Sequence, residues 1–192
     1  MKKILTSVAI TLIAVSALTT SSFAVGNPRA TGDIVGYNLN IAGLGWIGHV
    51  GIWDNYRKRV LEVFDNPRTR SDNYRVIHTD RTLSQFMRAS NRYWGARYGR
   101  GWSRYRVINA GRVQRYFNPS YTISPYIREG RYKRVWRCSW RGCHRVTIKI
   151  NAKFRCDSFV NYSYKKGIGV RLLPWYKAML PINIFYSMPY SR

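Results

Sequence analysis

Cys156 follows the short extended run Lys153-Phe154-Arg155 and opens a segment patterned as a helix. Its sulfur is expected to face the unsatisfied amides and the positive dipole end of that helix, a setting that favours the thiolate. A nucleophilic cysteine also needs a base to take and return a proton. Of the three histidines, His49 is the best placed, because Gly48-His49-Val50-Gly51-Ile52 sets it at a strand start between glycines, where backbones can approach closely. His78 and His144 stand in strongly charged stretches that read as loops. Glu62 lies between Leu61 and Val63 on the next strand-like run, an unusual place for a carboxylate without a partner. An odd hairpin register would bring Glu62 and His49 to one face. The carboxylate would then accept the second imidazole N–H, fix the tautomer and stabilise the ring as it takes the thiol proton. Cys156, His49 and Glu62 form a chemically complete set. Singly, they also read as an inert buried thiol, a satisfied edge histidine and an exposed strand acid.

The elements that must position them are legible in part. Asp33 to Tyr37, His49 to Trp53 and Val60 to Phe64 are short runs of β-branched and aromatic residues, and Asp54-Asn55 is a turn signal that joins the last two as an antiparallel hairpin. From Asn66 to Tyr132 the pattern is loose, with one short helix expected over Thr82 to Ser90. Arg and aromatics interleave there, as in Arg97-Tyr98-Gly99-Arg100. Such interleaving suits a grip on single-stranded nucleic acid, but the plainer reading is a solvated basic face with Tyr rings beneath the Arg stems. Val135 to Ile150 reads as a second hairpin. Cys156 to Lys166 reads as a helix carrying Phe159, Val160, Ser163 and Tyr164 on one side and ended by Gly167, after which Pro174 and Pro181 break up the tail.

Three cysteines leave at least one without an intramolecular partner. Cys138 and Cys143 are close enough to bridge across the second hairpin's tip, leaving Cys156 as the free thiol. The competing arrangement, zinc held by Cys138, Cys143, His144 and Cys156, fits no familiar finger spacing. No metal or other cofactor is expected.

The amino terminus reads as a secretory leader: Lys2 and Lys3, an apolar stretch from Val8 to Leu18, and Ser22-Phe23-Ala24 before the expected cut after Ala24. The apolar core is shorter than the roughly 20 residues a spanning helix needs. Residues 25–192 then suit a single exported domain, periplasmic or secreted. The chain holds 33 Lys and Arg against 8 Asp and Glu, a formal net charge of +25, or +23 without the leader's two lysines. Such a field attracts polyanions. Outside the cytoplasm these are peptidoglycan and other acidic envelope polymers or an anionic membrane surface; nucleic acid becomes relevant only if the protein enters another cell. Oligomeric state is not legible.

Two segments resemble the NlpC-type cysteine peptidases of the papain-like superfamily. The first is Gly32-Asp33-Ile34-Val35-Gly36 with Gly48-His49-Val50-Gly51-Ile52-Trp53 and Val60-Leu61-Glu62-Val63; the second is Phe154-Arg155-Cys156-Asp157-Ser158-Phe159-Val160-Asn161-Tyr162 with Tyr164-Lys165-Lys166-Gly167-Ile168. The histidine segment precedes the cysteine segment, the reverse of ordinary members, so the chain is similar to the circularly permuted branch with YiiX-like, YaeF-like and lecithin:retinol acyltransferase-like proteins. The resemblance covers about a third of the chain. It implies an α+β, papain-like domain, circularly permuted, with an antiparallel sheet packed against the nucleophile helix. Cys156 would be the nucleophile, His49 the base and Glu62 the third group. It implies a thiol hydrolase working through an acyl-enzyme, with peptidoglycan stem-peptide amides as first substrate class and lipid or acyl groups as second. A non-catalytic basic envelope-binding protein or toxin is the alternative from a different class. Two departures stand out: Asp157 where a small residue often follows the cysteine, and a basic Arg/Tyr-rich insert over about residues 97–149.

Overall fold

The computed structural model describes residues 26–43, 45–64, 77–90, 92–99, 104–124, 126–173 and 179–189; the expected leader lies outside them, as do the side chains of 77–80. The β-branched runs form β1 (Ile34–Tyr37), β2 (His49–Asp54) and β3 (Arg59–Val63), joined by β4 (Ile77–Arg81) and β5 (Tyr93–Arg97) in one antiparallel sheet of order β4-β3-β2-β1-β5. Alternation sends Ile34, Val50, Ile52, Leu61 and Val63 to one face and Val35, Tyr37, Trp53 and Val60 to the other. Both faces are covered, so the chain is α+β. Phe86 of the short helix α1 (Leu83–Met87), whose start is capped by Thr82 with Gln85, seals the second face.

The first face packs against α2 (Arg104–Val113), α3 (Cys156–Ile168) and α4 (Pro181–Tyr186). α2 contributes Val107 and Ile108 to this core, and α3 contributes Phe159, Val160 and Tyr164. Close approach rests on two glycines: a Cβ at Gly111 would lie 2.8 Å from the Phe159 ring, and one at Gly167 would lie 2.7 Å from the backbone of Arg106 and Val107. Gly167 therefore does not end α3. The helix runs to Ile168, and Gly169 takes the left-handed turn at φ 76°. Pro181 is likewise no breaker, since it stands in the first turn of α4, where its missing N–H costs nothing.

β6 (Ser120–Tyr121) pairs in parallel with β9 (Lys153–Phe154), the pair that leads into α3. Between them β7 (Arg131–Ser139) and β8 (Gly142–Ile150) form a two-stranded hairpin longer than expected, with Cys138 and Cys143 opposite each other and disulfide-bonded. The bridge consumes two of the four ligands of the zinc arrangement. His78 and His144 lie on β4 and β8, not in loops. Within the described part of the Arg/aromatic stretch, Arg97 stacks over Phe185 and Tyr186, and Arg29 over Tyr98. Among the described residues no helix is long and apolar enough to cross a membrane.

Trp94 locks the start of β2. Gly48 has φ +78°, and a Cβ there would stand 1.9 Å from the Trp94 ring, whose indole N–H donates to Asn38 at 2.6 Å. Gly48→Ala is expected to cost on the order of 3 kcal/mol from backbone strain and overpacking. Urea unfolding checks this; an unchanged midpoint would contradict the packing.

Candidate active site

Ile52 pairs with Leu61 and Trp53 with Val60, an odd register that puts His49 and Glu62 on one face. Gly51 stands between them in that pattern and supplies no side chain; a Cβ there would meet Val60 at 2.5 Å and Glu62 at 3.3 Å. The imidazole therefore reaches diagonally past it. His49 Nε2 lies 2.7 Å from Glu62 Oε2, the geometry of an N–H donating to a carboxylate. Nδ1 is then the ring nitrogen not engaged by Glu62, and the Cys156 sulfur is close enough to the ring to act on its charge. The three residues expected to act together are brought together, and all are buried: His49 is 3% exposed, Glu62 0% and Cys156 2%. Glu62 is thus not the exposed strand acid of the plain alternative.

Tyr37, opposite His49 across β1 and β2, packs its ring 5.1 Å from the imidazole, and the rings of Phe64 and Phe86 lie 5.7 and 5.9 Å from it. Burial on its own would strip the imidazole of its proton, but the Tyr37 phenol, the Cys156 sulfur and the Glu62 carboxylate outweigh it and hold the ring pKa well above the ordinary 6.5.

Arg81 was not visible as a site residue from sequence. From the end of β4 its guanidinium donates to Glu62 Oε2 at 3.3 Å and lies 3.1 Å from Oε1. Burial opposes the Arg81 charge and is overcome by Glu62 and Tyr37, so its pKa is raised. In a chain with 33 basic residues no sequence signal separates this arginine from the rest.

At the start of α3, Arg155 is the extended cap residue, and its N–H donates to Ser158 Oγ at 2.9 Å. Asp157, the departure from the familiar motif, is fully buried and faces Arg155, accepting from Nε at 2.7 Å and from Nη2 at 2.6 Å. Its Oδ1 also accepts the Ser158 N–H at 2.7 Å. Asp157 therefore caps the helix as half of an ion pair. The same guanidinium donates to the carbonyls of Ile123, at 2.7 Å, and Met179, fastening two loops to the helix that presents Cys156. The Gly32-Asp33 pair plays a structural part, since Asp33 accepts the N–H groups of Arg29, Ala30 and Gly99.

Comparison with family models, curated proteins and solved structures returns no match. The site rests on its own geometry.

Two measurements check that geometry. In imidazole NMR titrations, His49 should keep its proton as the pH rises past 6.5, and Glu62→Gln or Cys156→Ala should each move its midpoint down. A midpoint unmoved by both would separate the three groups. Arg155→Ala should cost about 3–5 kcal/mol by stranding a buried carboxylate, and Arg155→Ala with Asp157→Asn should recover much of that in thermal melts. Equal losses in the two variants would contradict the pairing.

Proposed function

We propose that this chain is an exported cysteine hydrolase with a circularly permuted, papain-like NlpC-type domain, acting on amide bonds of cell-wall peptides. The single observation that carries the reading is the Cys156, His49 and Glu62 constellation, with the His49–Glu62 contact at 2.7 Å and the sulfur at the first turn of α3. The proton held at His49 supports it, because the ring has Glu62 on one side, itself held by Arg81, and the Cys156 sulfur as a further charge partner.

In this mechanism Cys156 Sγ attacks the carbonyl carbon, and the developing oxyanion is met by the Cys156 N–H, which has no intrahelical acceptor at that position. The C–N bond breaks as Nδ1 of His49 gives its proton to the leaving amine, leaving a thioester. His49 then takes a proton from water, whose oxygen attacks the acyl carbon; the C–S bond breaks and the acid departs. Glu62 keeps the ring oriented through both steps, and Arg81 keeps Glu62 in place.

Peptidoglycan stem-peptide amides suit a strongly basic exported protein, since the polymer bears acidic groups. Lipid or acyl-group hydrolysis is the second substrate class on the same site. A non-catalytic polyanion-binding protein is the reading favoured by the 2% exposure of Cys156.

Incubation with purified sacculi and, separately, with phospholipids, wild type beside Cys156→Ala, tests this by mass spectrometry of products. The reading expects fragments from sacculi that vanish in the variant, a loss of at least about a thousandfold. Products from lipid alone would move the substrate class. Products undiminished in Cys156→Ala, or none from either pool, would end the hydrolase reading.

A further inference from the structure

The hairpin Arg131–Ile150 stands apart from the core: nearly every residue on both of its faces is exposed or only half-buried. A two-stranded ribbon is marginal alone in water, and this one is held by the Cys138–Cys143 bridge one pair from its turn. Its sequence is one-sided in charge, with seven Lys and Arg and no Asp or Glu over residues 131–150.

It also displays what a soluble surface hides. Tyr132, Trp136 and Trp140 are 66%, 62% and 87% exposed. Arg145 stacks on the cross-strand Trp136 ring, and Arg141 covers Trp140 at the tip. The register puts Tyr132, Arg134, Trp136, Arg145 and Lys149 on one face; Val135, Val146, Ile148 and Ile150, each half-buried, lie on the opposite face with Lys133 and Arg137. At the base, Lys149 joins Arg57, Arg112 and Arg115 around a cleft of about 470 Å³. On the aliphatic face, Ile150 shares a second cleft with Ile127, Arg131 and Lys133.

A ribbon that carries cations and no acid calls for an anionic partner. The exposed aromatics then choose among anions, with Trp136 and Trp140 standing open to solvent toward the tip. A nucleic acid or an acidic polysaccharide has phosphates, carboxylates or ring faces to offer, but no apolar layer to receive Trp136 and Trp140 together with their arginines. A bilayer offers phosphates at the depth where Trp and Tyr rings settle and acyl chains just beneath.

We propose that the disulfide-stapled hairpin Arg131–Ile150 is a membrane-docking arm that seats on anionic phospholipid bilayers, its arginines on lipid phosphates and Trp136 and Trp140 in the interface. Only Asn151 to Arg155 separate the arm from Cys156, and the pairing of Arg128 and Ser120 with Lys153 anchors that connection to the body. Docking would therefore hold the α3 start near the membrane surface. The proposal does not require Cys156 to turn over.

The test is cosedimentation of the full exported chain with phosphatidylglycerol-containing and pure phosphatidylcholine vesicles, beside sacculi and single-stranded RNA at the same salt. The arm predicts binding at least about tenfold tighter to the anionic vesicles, weakening as salt rises. Trp136→Ala with Trp140→Ala, and Arg134→Glu with Arg145→Glu, should each lower it about tenfold or more while the thermal melt stays put, since these side chains lie outside the core. Reduction of the Cys138–Cys143 bridge should weaken it too. Cys156→Ala should bind as wild type, so a failed hydrolase reading leaves the arm standing and a failed arm leaves the hydrolase. Equal binding to both vesicle types, arm variants that bind like wild type, or tighter capture by sacculi or RNA would overturn the proposal.

Discussion

A carboxylate removed from water must be met by cations, and Glu62 is fully buried in the middle of the sheet. Much of the architecture around it meets that single demand. β2 brings His49 from one side and the end of β4 brings Arg81 from the other. Gly51 leaves the space through which the imidazole reaches, and the ring of Trp94 over Gly36 and Gly48 fixes where β2 begins. A shift of one residue in the register would turn the acid to the opposite face, into the main aliphatic core, where no partner awaits it.

The second constraint is the start of α3. A cysteine in the first turn of a helix is useful only if that turn is rigid, and here rigidity comes from a buried ion pair. Arg155 and Asp157 neutralise each other while the guanidinium also holds the Ile123 and Met179 carbonyls. Lys and Arg are not interchangeable at such a position, because only the planar fork can meet a carboxylate and two loop carbonyls at once.

The sheet strands that flank the site were legible because β-branched runs, glycines and the Asp54-Asn55 turn all agree there. So was the cysteine helix, from its apolar periodicity. The stretch after Asn66 was opaque for physical reasons. β4 is short and charged, and β5 carries Gly95 and Arg97, so neither shows a clean alternation. α2 buries Val107, Ile108 and Gly111 amid arginines, and its place in the core depends on the missing side chain at Gly111, which carries no apolar signal. Pro181 reads as a breaker unless its first-turn position is known. Within the site, His49, Glu62 and Cys156 were visible as chemistry out of place, whereas Arg81 was one arginine among many and Asp157 looked like an anomaly until its partner was seen.

If His49, steadied by Glu62, activates Cys156, the reactivity of the sulfur must depend on the ring. Iodoacetamide labelling of that single free thiol at pH 6, in wild type and in His49→Ala, addresses this most directly. The account predicts labelling slower by about tenfold or more in the variant, because removal of the imidazole takes away the cation that stabilises the thiolate. Equal rates in the two proteins would mean that the sulfur and the ring, though neighbours, do no chemistry together.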